Sequence, residues 1–143
     1  MKQSSSSIAE KRLKEAGISP TSVRKLVYNC LEEAQNPISL IEIENLLETV
    51  DRSSISRALN IFKKYDLVHF FNDFSGSLKY ELCPSHNHSA GDFHPHFYCV
   101  NCAQTICLED IKTPLIELPE GYEMKEINYV ISGICKKCSD IQK

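Results

Sequence analysis

Residues 51–82, DRSSISRALNIFKKYDLVHFFNDFSGSLKYEL, carry a change of period from helix to strand within one short stretch. From about Ser53 to Tyr65 the apolar residues Ile55, Leu59 and Phe62 recur at helical spacing, with Asp51 just ahead of the run. Leu67 to Asn72 and Ser77 to Leu82 then read as two strands around the turn Asp73-Phe-Ser-Gly76. A helix leading directly into a hairpin is the core of a winged helix.

The upstream sequence supplies the remaining helices. After a Ser-rich start, Ile8 to Ala16 is a short amphipathic helix that Gly17 can end. Pro20 and Thr21 open a longer one, with Val23, Leu26, Val27, Cys30 and Leu31 on one face, and Asn36-Pro37 stops it. Ser39 is an N-cap for a helix from Leu40 to about Glu48, whose core candidates are Ile41, Leu46 and Leu47. In a winged helix the helix before the wing enters the major groove of DNA. The non-apolar positions there, Arg52, Ser53, Ser56, Arg57, Asn60, Lys63 and Lys64, are the candidate DNA contacts. The plainer reading of the same pattern is the solvated face of a surface helix.

Charge is unevenly spread and bears on that choice. Residues 1–72 hold ten Lys and Arg against nine Asp and Glu, and residues 73–143 hold six against ten. Between Asp51 and Lys64 a single acid faces Arg52, Arg57, Lys63 and Lys64, so a basic element sits in a near-neutral half and can grip phosphate locally.

Downstream the texture changes. Beyond residue 65 the chain alternates, is aromatic, and holds six of the seven cysteines and all five histidines, which argues for a second domain. Cys99/Cys102 and Cys135/Cys138 are two Cys-x-x-Cys pairs, each able to offer two thiolates from one tight turn; together they form a four-sulfur cage suited to structural zinc. No apolar run approaches the ~20 residues of a membrane span, and Met1 to Ser7 has no apolar signal core, so a soluble cytoplasmic protein is expected. In that reducing compartment paired cysteines are metal ligands more often than disulfides. A zinc enzyme would need an open coordination position and a base, for which Glu109 or Asp110 is the only obvious acid, and four protein ligands leave no such opening.

Ser54-Ile-Ser-Arg-Ala-Leu-Asn60, Tyr80-Glu-Leu-Cys83, His94-x-His96-Phe-Tyr-Cys99-x-x-Cys102 and the late Cys135-x-x-Cys138 stand in an order and spacing that resembles the ferric uptake regulator family of metal-responsive repressors. The resemblance runs from about Thr21 to Cys138. It implies an α+β chain: a winged-helix DNA-binding domain over 1–83, a hinge over 84–93, and a small α/β dimerisation domain with structural zinc over 94–143. It further implies a homodimer on a double-stranded, pseudo-palindromic operator, since two-fold symmetry lets two recognition helices read half-sites about one helical turn, or a multiple, apart.

The resemblance also places a regulatory site across the hinge, at the positions of His69, Cys83, His94 and His96. A thiolate among imidazoles suits Zn2+, whereas iron and manganese sensors of the family favour oxygen and nitrogen donors. The expected branch is therefore the zinc uptake regulators, with zinc as co-repressor of zinc-uptake genes and Fe2+ the less favoured ion. An iron- or peroxide-responsive repressor and a zinc-ribbon protein-interaction module are the alternatives. His69 as an ordinary strand histidine and Cys83 as a buried thiol are the plainer readings; His86 and His88, two apart in the hinge, could displace a ligand or hold a loose ion. Cys30 lies on an apolar helix face, and Cys107, between Ile106 and Leu108, can face either way.

Several positions depart from the family. Phe93, Pro95 and Ile127 replace the usual ligands of a further site in the dimerisation domain, which is expected to be absent. Ser56 stands where a Tyr is common. Ile111 to Pro119, with two prolines, is too short for the usual long helix, and irregular chain followed by a strand from Tyr122 to Ile131 is expected instead.

Overall fold

The computed structural model describes residues 5–82, 94–125 and 127–141. The chain divides into two compact units, Met1–Asn72 with Ser77–His86, and Asp73–Gly76 with Asn87–Lys143. Cys83, His86, His88 and Phe93, and with them the hinge, lie outside the described residues.

In the N-terminal unit α1 (Ser5–Glu15) and α2 (Ser22–Ala34) are joined by a tight turn. Gly17 adopts φ +83°, Ile18 N–H donates to Leu13 O and Gly17 N–H to Lys14 O, so the last carbonyls of α1 are satisfied while Leu13 and Ile18 are both buried. Thr21 caps α2 through Arg24 N–H, and Gln35 ends it in the left-handed region. A two-residue strand, β1 (Ile38–Ser39), leads into α3 (Leu40–Leu46), and α4 (Arg52–Lys64) follows. β2 (Val68–Asn72) and β3 (Leu78–Leu82) form the hairpin. β1 adds to β3, giving an antiparallel sheet of order β1-β3-β2, a third strand that the sequence pattern does not announce.

The helices and one sheet face enclose a core in which Ile55, Leu59 and Phe62 of α4 meet Leu13, Val27 and Ile43, with Val68 and Tyr80 from the sheet. The phase of α4 is as its periodicity suggests. Those of α2 and α3 differ in part: Leu26 is exposed while Tyr28 is buried, and in α3 the core residue is Ile43, flanked by half-buried Leu40 and Leu47, with Ile41 and Leu46 turned to solvent. Cys30 packs into this core, where burial pushes its thiol pKa up.

The C-terminal unit contains β4 (His96–Cys99), β5 (Thr105–Cys107), β6 (Val130–Gly133) and α5 (Lys136–Ile141). β4 pairs antiparallel with β5 and parallel with β6, giving the order β5-β4-β6. Residues 112–119 are irregular, as the prolines imply. The expected strand from Tyr122 to Ile131 is not formed over most of that range. Regular pairing begins only at Val130, where the chain comes alongside His96.

Candidate metal centres and nucleic-acid face

The first centre begins with a turn at the end of β4. Cys99 N–H donates to Gln104 O at 3.0 Å and Ala103 N–H to Cys99 O at 2.9 Å, with Ala103 at φ +61°, so the chain from Cys99 to Gln104 closes into a knuckle. The second knuckle leads from β6 into α5, and Cys135 N–H points at Cys99 Sγ, 3.3 Å away. The four sulfurs of Cys99, Cys102, Cys135 and Cys138 all lie within 4.8 Å of one another. Cys102 and Cys135 are 3.9 Å apart and both free, whereas a tetrahedron with Zn–S bonds of about 2.3 Å has edges of about 3.8 Å. The backbone N–H groups of Cys102 and then of Cys135 hold the Cys99 thiol down to about 6, while the thiols of Cys102 and Cys138, beside the other sulfurs, are pushed up. The donor set fits a structural zinc ion, which would be held by four sulfurs with no position left open.

The second centre lies in the same unit and includes a residue the sequence reading left undecided. His94 and His96 are two apart on an extended segment, with ring centroids 4.7 Å apart. Cys107 joins them: in the β4/β5 pairing it stands opposite His96, and ligand atoms of His94, His96 and Cys107 lie within 4.8 Å of one another. The signal was present in the sequence. Once the turn after Cys99 closes so that Tyr98 pairs with Thr105, counting outward puts Cys107 beside His96. Pro95 between the two histidines is buried and offers no donor. In the N-terminal unit His69 of β2 stands opposite Glu81 of β3, on the sheet face away from the Phe70–Tyr80 pair.

The candidate DNA residues of α4 are not equivalent. Arg52 Nε is bound to Glu44 at 2.7 Å, and Lys63 lies over the rings of Phe70 and Tyr80, at 4.5 and 5.5 Å from their centroids. Both cations are thus tied to neighbouring elements. Ser53 is exposed and Ser56 half-buried on the helix. Arg57, Asn60 and Lys64 are exposed along one side of α4, and Arg57 Nη2 reaches Ser54 Oγ at 3.5 Å.

A winged-helix unit followed by a four-thiolate cage and a His/Cys cluster defines a metal-binding protein of DNA-reading architecture. The chain belongs to the ferric uptake regulator family, whose model matches residues 15–133; its members are transcription regulators, not enzymes. No curated protein sequence matches it. Among solved structures it is similar to a zinc uptake regulator complexed with zinc and DNA (17% identity, 99% of this chain and 99% of that chain, TM-score 0.67). It is also similar to the Vibrio cholerae ferric uptake regulator (19%, 88% and 98%, 0.62) and to a zinc-bound manganese uptake regulator (16%, 89% and 98%, 0.62). At these identities the likeness is one of fold. Among the described residues no helix is long and apolar enough to cross a membrane.

Proposed function

We propose that this chain is a cytoplasmic, homodimeric transcriptional repressor that uses zinc as co-repressor and controls zinc-uptake genes from a double-stranded operator. The observation that carries the choice of metal is the convergence of Cys107 on His94 and His96. A soft thiolate among imidazoles selects Zn2+ over Fe2+ or Mn2+, and it does so whether or not Cys83 contributes a second sulfur. Regulation follows if donors from the N-terminal unit, His69 and Cys83, complete the set. Metal occupancy and the DNA-reading arrangement are then linked, by a coupling typically of about 1–3 kcal/mol.

The dimer is supported by the apolar surface of the C-terminal unit. Leu115, Ile116, Leu118, Tyr122, Met124 and Ile131 are all exposed within a short span, more than an isolated soluble surface ordinarily carries together. A second copy of the chain covering these residues would bury them symmetrically.

An iron- or peroxide-responsive repressor is the second reading. Glu81 beside His69 favours it, since a carboxylate entering the regulatory set would shift its preference toward oxygen-loving Fe2+.

Tightly bound zinc per chain, measured for the wild type and for Cys107→Ala after equilibration in buffered zinc, tests the proposal. The wild type is expected to hold one ion more than the variant, and the variant to keep the structural ion and lose zinc-dependent binding to duplexes selected from a random pool. Equal zinc in both proteins, or selection that works with Fe2+ and not with Zn2+, would overturn the zinc assignment.

A further inference from the structure

Thr21, Val23 and Arg24 at the start of α2 and Ser54, Arg57, Ala58, Asn60, Ile61 and Lys64 of α4 line a groove of about 540 Å3. Its lining contains three cations and no acid. Val23, Ala58 and Ile61 supply an apolar floor between the polar groups. A second groove, about 620 Å3, lies ahead of the N-terminus of α4 and is lined by Glu44, Glu48 and Asp51 with Asn45, Thr49 and Val50. The unit is therefore electrically asymmetric about α4. One side is built to hold an anion and the other to repel it.

Two local bonds sharpen that asymmetry. The N-terminus of α4, an ordinary seat for phosphate, is filled by its own cap: Asp51 accepts from Ser54 N–H and Ser54 Oγ. Arg52 beside it is engaged by Glu44. In the cationic groove Arg24 Nη1 donates to Ser19 O at 2.9 Å, which fixes the guanidinium, while a guanidinium carries five N–H donors.

We infer that this groove seats the sugar-phosphate backbone of duplex DNA, with Arg24, outside the recognition helix, as a phosphate ligand alongside Arg57 and Lys64. A sugar-phosphate strand suits the lining: cations for phosphate oxygens, Thr21 and Asn60 as further polar partners, and the apolar floor for deoxyribose carbons. The contact positions α4 in the major groove without reading sequence. The inference rests on the DNA-binding reading and adds the direction of approach, from the α2 side of α4.

The salt dependence of DNA binding tests it. Zinc-loaded protein is titrated with a 30-base-pair duplex of mixed sequence across a range of potassium chloride, for wild type, Arg24→Gln and Arg24→Lys, with zinc content and far-ultraviolet circular dichroism as folding controls. Arg24→Gln is expected to flatten the plot of log affinity against log salt by about 0.9 for each protomer engaged, whatever the sequence, and Arg24→Lys to restore most of the slope. Should Arg24→Gln fail to fold, Lys64→Gln, exposed on the same groove, gives the same readout. A wild type that binds while a folded variant keeps the full slope overturns the phosphate seat alone. A wild type that binds no duplex at low salt overturns the DNA-binding reading and the inference with it.

Discussion

In the N-terminal unit Leu13, Val27, Ile43, Ile55 and Phe62 are completely buried and Leu59 nearly so, whereas among the described residues of the C-terminal unit only Cys99 is completely buried. The two units are closed by different means. Aliphatic and aromatic side chains from four helices fill the first. Among its described residues the second has three short strands, a six-residue helix, an irregular stretch and several exposed apolar residues, and candidate metal ligands, Cys99, Cys138 and His96, are with Thr105 among its best-enclosed side chains. Hydrophobic burial stabilises the first from its own sequence, while the second depends on coordination and on whatever covers its apolar face. The winged-helix unit is thus expected to fold without metal, and the C-terminal unit to need it.

Breaking the cage should give the largest effect. A structural zinc site contributes roughly 10–16 kcal/mol of apparent binding free energy in small zinc-folded modules, and an ion in this cage would do the same for the C-terminal unit. Cys99→Ser is expected to abolish hydrogen-exchange protection in β4, β5, β6 and α5 while the amides of α2 and α4 stay protected. Protection persisting in β4 and β6 of the variant would show that the C-terminal unit has another source of stability.

The converse substitution is Phe62→Ala. The side chain is fully buried where α4 meets the sheet, and its loss leaves a cavity, costing about 3–5 kcal/mol. Urea unfolding followed through helical circular dichroism should show that loss with zinc content unchanged. A smaller loss, of about 1 kcal/mol or less, would mean that the core collapses around the gap and is less rigidly packed than its burial implies.

What the sequence disclosed follows the same division. The Cys-x-x-Cys pairs were legible because a thiolate cage is declared by residue type and short spacing, and α4 because Ile55, Leu59 and Phe62 hold one period over thirteen residues. α3 was misread because five of the eight residues Leu40 to Leu47 are apolar. Two turns cannot separate a stripe at 40, 43 and 47 from one at 41, 46 and 47, and only packing against α4 and the sheet chooses, keeping Leu47 and turning Ile41 and Leu46 outward. Cys107 was undecided for a related reason: a three-residue strand has no visible period, and its facing is set by the hairpin register with β4. β1, two residues long, is defined by β3 alone. The roles of Arg52 and Lys63 needed their neighbours, Glu44 and the wing aromatics, which no pattern within α4 reveals.

The finest test of the contrast falls on Ser39, where local chemistry and tertiary pairing meet. Its hydroxyl accepts from Glu42 N–H and the Glu42 carboxylate accepts from Ser39 N–H at 2.7 Å, a reciprocal box that closes the first turn of α3. Ser39 is also the end of β1, paired with Lys79 of β3, and is itself buried. A seven-residue helix is too short to persist on propensity alone, so its cap and its contact through Ile43 must hold it together. Ser39→Ala removes the hydroxyl and leaves Glu42 N–H without that acceptor, at a cost of about 1 kcal/mol. Ser39→Thr keeps the acceptor and should recover most of that loss. Both effects should appear in the urea midpoint of the N-terminal unit and be the same with zinc bound or removed. A Ser39→Ala effect that depended on zinc would show that the two units unfold together, and that the metal also stabilises the DNA-reading half.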